Sequence, residues 1–176
     1  MDQPKAIRTR FVSKGGHLLK PTLYHDIDGV LFGEYAGHFQ LRPNVKGWLH
    51  WVHEHFNVVW LTTWERHEIR TLLSIVYGEK FLNTSEAPAF HVADWYGLPD
   101  KESWLAAGDR FDHAQGEWFW IDDDRPSDER LNALGLEPCR CLRVNPKGAD
   151  ELENLQLRLQ LLHLPNMFTK MLESRR

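Results

Sequence analysis

Short apolar segments alternate with longer amphipathic segments along most of this chain. The apolar segments have the length of strands and span residues 22–27, 58–61, 118–121 and 140–144. Apolar residues at helical spacing occupy most of the remainder, over residues 44–56, 65–77, 101–107 and 149–162. Strands that alternate with helices are typical of a mainly parallel sheet with helices on both faces. The sequence therefore predicts a three-layer α/β/α fold with a Rossmann-like sheet.

Two segments interrupt this alternation. Residues 30–39 contain two glycines among apolar and aromatic residues, which predicts a small hairpin or an irregular loop. Residues 79–99 carry no clear period, and we expect only a short strand near residues 90–93.

Length and composition limit the class of protein. A chain of 176 residues without an evident linker or repeat suits one domain, so we expect a single domain over residues 1–176. Its net charge of −4 creates no positive field that would attract a polyanion. No apolar run approaches the roughly 20 residues that span a bilayer. The N-terminal segment also lacks the apolar core of a secretory signal. We therefore expect a cytoplasmic protein without a membrane partner.

Acidic residues follow two of the predicted strands at the point where each strand ends. Asp26 and Asp28 lie at the end of the first strand, and Asp122, Asp123 and Asp124 follow the strand that ends at residue 121. The carboxyl ends of parallel strands meet at one edge of a sheet, where ligands bind. Carboxylates gathered there repel one another unless a cation joins them, and oxygen ligands suit Mg²⁺. The pattern therefore predicts a Mg²⁺ site.

Four motifs occur in a fixed order across residues 22–145. They are the run Asp26-Ile27-Asp28-Gly29-Val30-Leu31 after a strand, the strand 58–61 with Thr62, the upstream lysine Lys101, and the strand 118–121 with Asp122 and Asp123. This series resembles the haloacid dehalogenase superfamily of phosphohydrolases. The resemblance implies a haloacid-dehalogenase-like hydrolase domain with a three-layer fold.

The resemblance also implies a role for each matched side chain. Asp26 is expected to attack phosphorus and form an aspartyl-phosphate. Asp28 would protonate the leaving oxygen and then activate water. Thr62 would bind a phosphate oxygen, with the adjacent Thr63 as the alternative. The motif lysine, Lys101, would offset negative charge near the nucleophile. Lys80 is its competitor because the segment between the two lysines is hard to place.

The expected Mg²⁺ ligands come from both acidic clusters. They are a carboxylate oxygen of Asp26, the backbone carbonyl of Asp28, and the acids at residues 122 and 123. Asp123 is the favoured direct ligand with Asp122 behind it, but the sequence leaves their order open. His25 precedes the nucleophile and faces the other side of the strand, so packing is its expected role. Trp64 is interpreted either as core or as an aromatic wall for substrate.

The expected substrate is large. Some superfamily members carry a cap domain between the first motifs, and neither gap in this chain has room for a full one. An open site favours a phosphorylated partner that excludes water itself, such as a nucleic-acid end or a phosphoprotein. Arg42, Arg66 and Arg125 are candidates for gripping phosphate.

A weaker resemblance comes from two tryptophan-containing runs. They are Trp-x-Thr-x-Trp at residues 60–64 and Trp-Ile-Asp-Asp at residues 120–123, and they resemble superfamily domains associated with RNA-repair proteins.

Two alternatives to a phosphatase stay open at this point. A non-catalytic binding or regulatory module with the same fold is the first alternative to a phosphatase. A phosphotransferase that uses an alcohol in place of water is the second.

Overall fold

The computed structural model describes residues 20–84, 91–107 and 117–173. Seven strands lie within these ranges, and they are β1 (Thr22–His25), β2 (Phe32–Tyr35), β3 (His38–Leu41), β4 (Asn57–Trp60), β5 (His91–Val92), β6 (Trp118–Asp122) and β7 (Cys141–Arg143). Six α-helices accompany them, and they are α1 (Val45–His55), α2 (Arg66–Tyr77), α3 (Glu79–Leu82), α4 (Lys101–Ala106), α5 (Asp128–Ala133) and α6 (Glu151–Glu173).

Five strands form one parallel sheet in the order β5-β4-β1-β6-β7. Every residue of β1 is buried because β1 lies in the centre of the sheet and helices cover both faces. The strands β2 and β3 form a separate antiparallel hairpin, which is one of the two structures that the glycine-containing segment predicts. The predicted mixed α/β fold with a mainly parallel sheet is thus confirmed.

Two apolar clusters lie on opposite faces of the sheet. Alternate strand residues point to opposite faces, so Leu23 joins one cluster and Tyr24 joins the other. The first cluster contains apolar residues of α1, α2 and α6, and the second contains those of α4 and α5. These clusters give the three layers that the alternating pattern predicts.

The segments between the central strands are short or pack on the sheet. Between β1 and β4 the chain forms the β2–β3 hairpin and α1, whose residues Val45, Trp48, Leu49 and Val52 are buried. The described residues between β4 and β6 form α2, α3, β5 and α4. The strand expected near residues 90–93 is present as β5, and residue 90 lies outside the described ranges. Among the described helices, none combines the length and apolar character needed to cross a membrane.

Candidate functional site

The sheet order reverses at β1, because the chain adds β4 on one side of this strand and β6 on the other. Register pairs His25 with Trp60 of β4 and with Ile121 of β6. The next residue, Asp26, donates its backbone N–H to the Ile121 carbonyl oxygen at 3.2 Å. Ligands of open parallel sheets bind at such a reversal, beyond the carboxyl ends of the strands. The first acidic motif therefore lies where this fold class places its sites.

A lysine joins the two acidic clusters. Lys101 Nζ lies 2.7 Å from Asp26 Oδ2 and 2.8 Å from Asp122 Oδ2. Lys101 is the first residue of α4, whose start is fixed by a hydrogen bond from the Ser103 N–H to the Asp100 side chain at 2.7 Å. Lys80 is an exposed residue of α3. Lys101, rather than Lys80, thus contacts the predicted nucleophile.

Asp123 completes a cluster of three carboxylates. One oxygen from each of Asp26, Asp122 and Asp123 lies within 4.8 Å of the others. Gly29 makes this approach possible, since its φ is +66° and a Cβ atom there would lie 1.9 Å from Asp123 Cγ. The Asp-Gly turn of the first motif therefore leaves space for the second acidic motif.

Crowding and burial change the acidity of this cluster. Burial, reinforced by the charge of Asp122, raises the pKa of Asp26 to about 7, and Lys101 only partly opposes this rise. Burial and Asp122 also raise the pKa of Asp123. Burial tends to lower the pKa of Lys101, but the charges of Asp122 and Asp26 outweigh it and the net shift is upward. Three carboxylates sharing one ammonium carry a surplus of negative charge.

This donor set fits a hard divalent cation. Carboxylate oxygens at close range are the ligands of Mg²⁺, and the surplus negative charge is what such an ion neutralises. Both oxygens of Asp122 already accept hydrogen bonds, one from Lys101 and one from the Asp124 N–H at 2.8 Å. This arrangement favours Asp26 and Asp123 as direct ligands with Asp122 behind them, in the order that the sequence interpretation preferred.

The predicted phosphate-binding loop follows β4. Thr62 is buried, and its Oγ1 accepts a hydrogen bond from the Trp64 backbone N–H at 3.3 Å. The Trp95 indole N–H donates to the Thr62 carbonyl oxygen at 2.9 Å. Thr63 is exposed, and its carbonyl oxygen accepts a hydrogen bond from Tyr96 Oη at 3.4 Å. Aromatic side chains from outside the motif thus hold this loop in place, a feature that no motif in the sequence indicates.

Asp28 is held by a second tryptophan. The Trp64 indole N–H donates to Asp28 Oδ2 at 3.0 Å. Trp64 also packs against Phe32 of the hairpin, with ring centroids 5.6 Å apart. Trp64 therefore contacts the predicted acid directly, a role that neither the core nor the aromatic-wall interpretation includes.

His25 lies next to the predicted nucleophile, Asp26, and contacts its backbone. Its ring is fully buried, and the Trp48 indole N–H donates to its Nε2 at 2.8 Å. Because Nε2 accepts, the proton sits on Nδ1, which contacts the Asp26 carbonyl oxygen. Burial lowers the pKa of His25 to about 3, so the ring is neutral. The expected packing role is accompanied by a hydrogen bond to the backbone of Asp26.

The three candidate arginines lie in different surroundings. Arg42 is buried, and its guanidinium donates to the carbonyl oxygens of residues 29, 30, 145 and 148. Arg125 donates to the carbonyls of residues 126, 138 and 141 and forms an ion pair with Asp128. These two arginines are engaged in holding loops, which differs from the expected phosphate-binding role. Arg66 is exposed at the start of α2.

Comparison with known proteins gives no relative from which to transfer a function. No protein-family model matches the chain, and no curated protein matches it. The interpretation of the site therefore depends on its own side chains and their positions.

Replacing Gly29 with Ala should lower the unfolding free energy and the Mg²⁺ affinity by more than backbone strain alone explains. A positive φ costs a residue with a Cβ roughly 1 kcal/mol. At this position the Cβ would also displace the Asp123 carboxylate. We expect a loss of about 2–3 kcal/mol in unfolding free energy and at least tenfold weaker Mg²⁺ binding, measured by denaturation and calorimetry.

Gly37→Ala is the matched control. Gly37 has a φ of +79°, and no atom lies within 4 Å of a Cβ built there. This variant carries the same kind of strain without the contact, so its Mg²⁺ affinity should equal that of the wild type. Equal Mg²⁺ affinities for the two variants would contradict an effect of the contact between Gly29 and Asp123 on the expected metal site.

Without a divalent cation, stability should fall as pH rises from about 4 to about 7. The ordinary pKa of an aspartate side chain is 3.8, whereas burial raises the pKa of Asp26 in the folded protein to about 7. The unfolded chain therefore loses this proton at lower pH, so ionisation of the folded form costs stability throughout that window. In thermal melts with a chelator, the Tm of the wild type should decline more steeply with rising pH than the Tm of Asp26→Asn. An equal dependence of Tm on pH in the two proteins would refute this pKa shift.

Proposed function

We propose that this protein is a Mg²⁺-dependent phosphomonoesterase of the haloacid dehalogenase superfamily that works through an aspartyl-phosphate. The observation that supports it best is the contact of Lys101 with Asp26 and Asp122, beside Asp123 and at the reversal of the sheet. A purely structural ion pair would gain nothing from a third, half-buried carboxylate, since repulsion between the acids costs stability. In a site that binds a cation next to a phosphoryl group, the surplus negative charge attracts the cation.

In the first half-reaction, a carboxylate oxygen of Asp26 bonds to phosphorus while the bond from phosphorus to the leaving oxygen breaks. Asp28 gives its proton to that oxygen, which departs as an alcohol. Thr62 donates its hydroxyl to a phosphoryl oxygen, because its Oγ1 can accept from Trp64 and donate at the same time. Lys101 stabilises the charge that develops beside Asp26.

In the second half-reaction, water attacks the phosphorus of the aspartyl-phosphate while the bond from phosphorus to the Asp26 oxygen breaks. Asp28, now a carboxylate, takes a proton from that water, and inorganic phosphate leaves. Asp26 returns to its starting state and Asp28 to its protonated form, so all protons are accounted for. A bound Mg²⁺, held by Asp26, Asp123 and the Asp28 carbonyl, would screen the nucleophile from the phosphate and stabilise charge in the transition state.

A nucleic-acid end is the substrate that we place first, ahead of a phosphoprotein. Tyr96 lies beside the loop of Thr62 and Thr63, with its ring stacked on Trp95 at 5.7 Å and 65% of its surface exposed. An exposed ring at the edge of a phosphate site can stack on a base, and such stacking tolerates different sequences. Arg66 is exposed at the start of α2, three residues after Thr63, and is the arginine that we propose for an additional phosphate contact.

The test is phosphate release from a panel of substrates, with and without Mg²⁺. The panel comprises an aryl phosphate, oligonucleotides with a 3′- or 5′-phosphate, and phosphopeptides. We expect Mg²⁺-dependent release, fastest from an oligonucleotide. Mg²⁺ binding without release from any substrate would instead support the non-catalytic module. Phosphorylated alcohol appearing after addition of glycerol would identify a phosphotransferase.

A further inference from the structure

Trp64 connects the hairpin, the phosphate loop and the predicted acid–base residue. Its indole N–H lies 3.0 Å from Asp28 Oδ2, its ring packs 5.6 Å from that of Phe32, and its backbone N–H bonds to Thr62 Oγ1. The ring is half-buried, so these contacts fix its orientation. An indole held in this way presents its N–H in one direction only.

The chemistry of the indole limits what Asp28 can do. An indole N–H donates hydrogen bonds and never accepts them. Asp28 Oδ2 must therefore be an acceptor, whether the carboxyl group is protonated or ionised. In a carboxylic acid the carbonyl oxygen is the stronger acceptor, so this hydrogen bond favours the exchangeable proton of Asp28 on the other oxygen, Oδ1.

We propose that Trp64 is a positioning residue that confines the acid–base proton of Asp28 to Oδ1. This inference rests on the proposed phosphatase function. In the first half-reaction, the proton on Oδ1 moves to the leaving oxygen as its bond to phosphorus breaks. In the second, the attacking water returns a proton to the same Oδ1. One oxygen of Asp28 thus serves both transfers, and the other stays bonded to Trp64.

A second tryptophan supplies a matched comparison. The Trp95 indole N–H donates at 2.9 Å to the Thr62 carbonyl oxygen, in the same loop, and not to a carboxylate. Replacing either tryptophan with Phe removes one indole N–H beside the site. Only Trp64→Phe removes one from the acid–base residue.

The test compares leaving groups. Proton donation matters most when the departing oxygen is strongly basic, as in an alkyl phosphate, and least for nitrophenyl phosphate. For Trp64→Phe we expect kcat/KM on an alkyl phosphate to fall about tenfold or more, which is the contribution of a hydrogen bond to a charged group. On nitrophenyl phosphate we expect kcat/KM to fall less than about twofold. Trp95→Phe should lower kcat/KM by one common factor across the series.

A double-mutant cycle completes the test. In an Asp28→Asn background, Trp64→Phe should change kcat/KM on phenyl phosphate by less than about twofold, because the group that it positions is gone. An equal loss on every leaving group, or a tenfold loss that persists in the Asp28→Asn background, would overturn the inference. Should Trp64→Phe unfold at the assay temperature, Trp64→Met fills similar space without a donor and undergoes the same comparison.

The two levels of the proposal fail in different ways. Wild-type protein without Asp26-dependent turnover would overturn the phosphatase function, and the role of Trp64 with it. Wild-type turnover with a leaving-group dependence unchanged in Trp64→Phe would overturn only the role of Trp64.

Discussion

Replacing Asp26 with Asn is expected to reduce Mg²⁺-dependent phosphate release by about 10⁴-fold or more, the scale typical of removing a covalent nucleophile. An amide nitrogen or oxygen at this position cannot form the acyl phosphate that the mechanism requires. The protein itself should stay folded, because Lys101 keeps its partner Asp122 at 2.8 Å. Release of phosphate from the best substrate of the panel, followed over hours, measures the effect.

Asp124→Asn provides the control for this experiment. Asp124 lies on the same turn as Asp122 and Asp123 but is exposed, and its backbone N–H contact with Asp122 does not depend on its side chain. The rate of phosphate release by Asp124→Asn should stay within about twofold of the wild-type rate, as for most exposed substitutions. Turnover that survives in Asp26→Asn would remove Asp26 as the nucleophile. A large loss in both variants would point to the net charge of the turn.

Replacing Arg42 with Met is expected to lower the free energy of unfolding by about 4 kcal/mol. The buried guanidinium donates to four backbone carbonyl oxygens, and a buried acceptor left without a donor costs about 1–3 kcal/mol. Arg42→Lys should recover only part of the loss, because one ammonium nitrogen cannot match a planar fork of donors. Urea denaturation, analysed at constant m-value, measures both variants.

The control for Arg42 is an arginine that donates to one carbonyl from an exposed position. Arg158 Nη1 donates to the Arg143 carbonyl oxygen at 3.0 Å on the surface. Arg158→Met should cost less than about 1 kcal/mol, since water can replace this donor. A loss below about 1 kcal/mol for Arg42→Met as well would show that the guanidinium does not hold these loops.

Arg42 also contacts the turn that shapes the candidate site. Two of its acceptors, Gly29 and Val30, belong to the turn of the first motif, and the other two belong to the segment after β7. Gly29 lies against the Asp123 carboxylate. Loss of Arg42 should therefore loosen the turn that separates the two acidic motifs, so Mg²⁺ affinity is expected to fall together with stability.

The arrangement of strands and helices follows from local pattern in the sequence. Strand β1 and strand β4 are short apolar runs, and α1 carries apolar residues at helical spacing, so each element is specified by residues close together in the chain. The two acidic motifs could be assigned to one edge of the sheet, because parallel strands present their carboxyl ends together. Four strands of the main sheet were predicted on this basis, whereas the β2–β3 segment was expected to be a hairpin or an irregular loop. The short strand near residues 90–93 was expected without a periodic signal.

Contacts between distant residues were decided only by the tertiary structure. The choice of Lys101 over Lys80 depends on where the chain crosses back before α4, a path for which residues 79–99 give no periodic signal. Arg42 reaches carbonyls more than 100 residues away, and nothing in its neighbourhood distinguishes it from an arginine that binds phosphate. Trp64 and Asp28 are 36 residues apart and share a hydrogen bond.

The physical reason for this division is the range of each interaction. Hydrophobic periodicity and turn chemistry act over a few residues, so the sequence by itself determined the elements and the edge at which Asp26 and Asp122 meet. Hydrogen bonds and ion pairs form only within about 3 Å. Which side chains come that close depends on the packing of the whole chain, and this packing decided the partners of Asp26, Asp28 and Arg42.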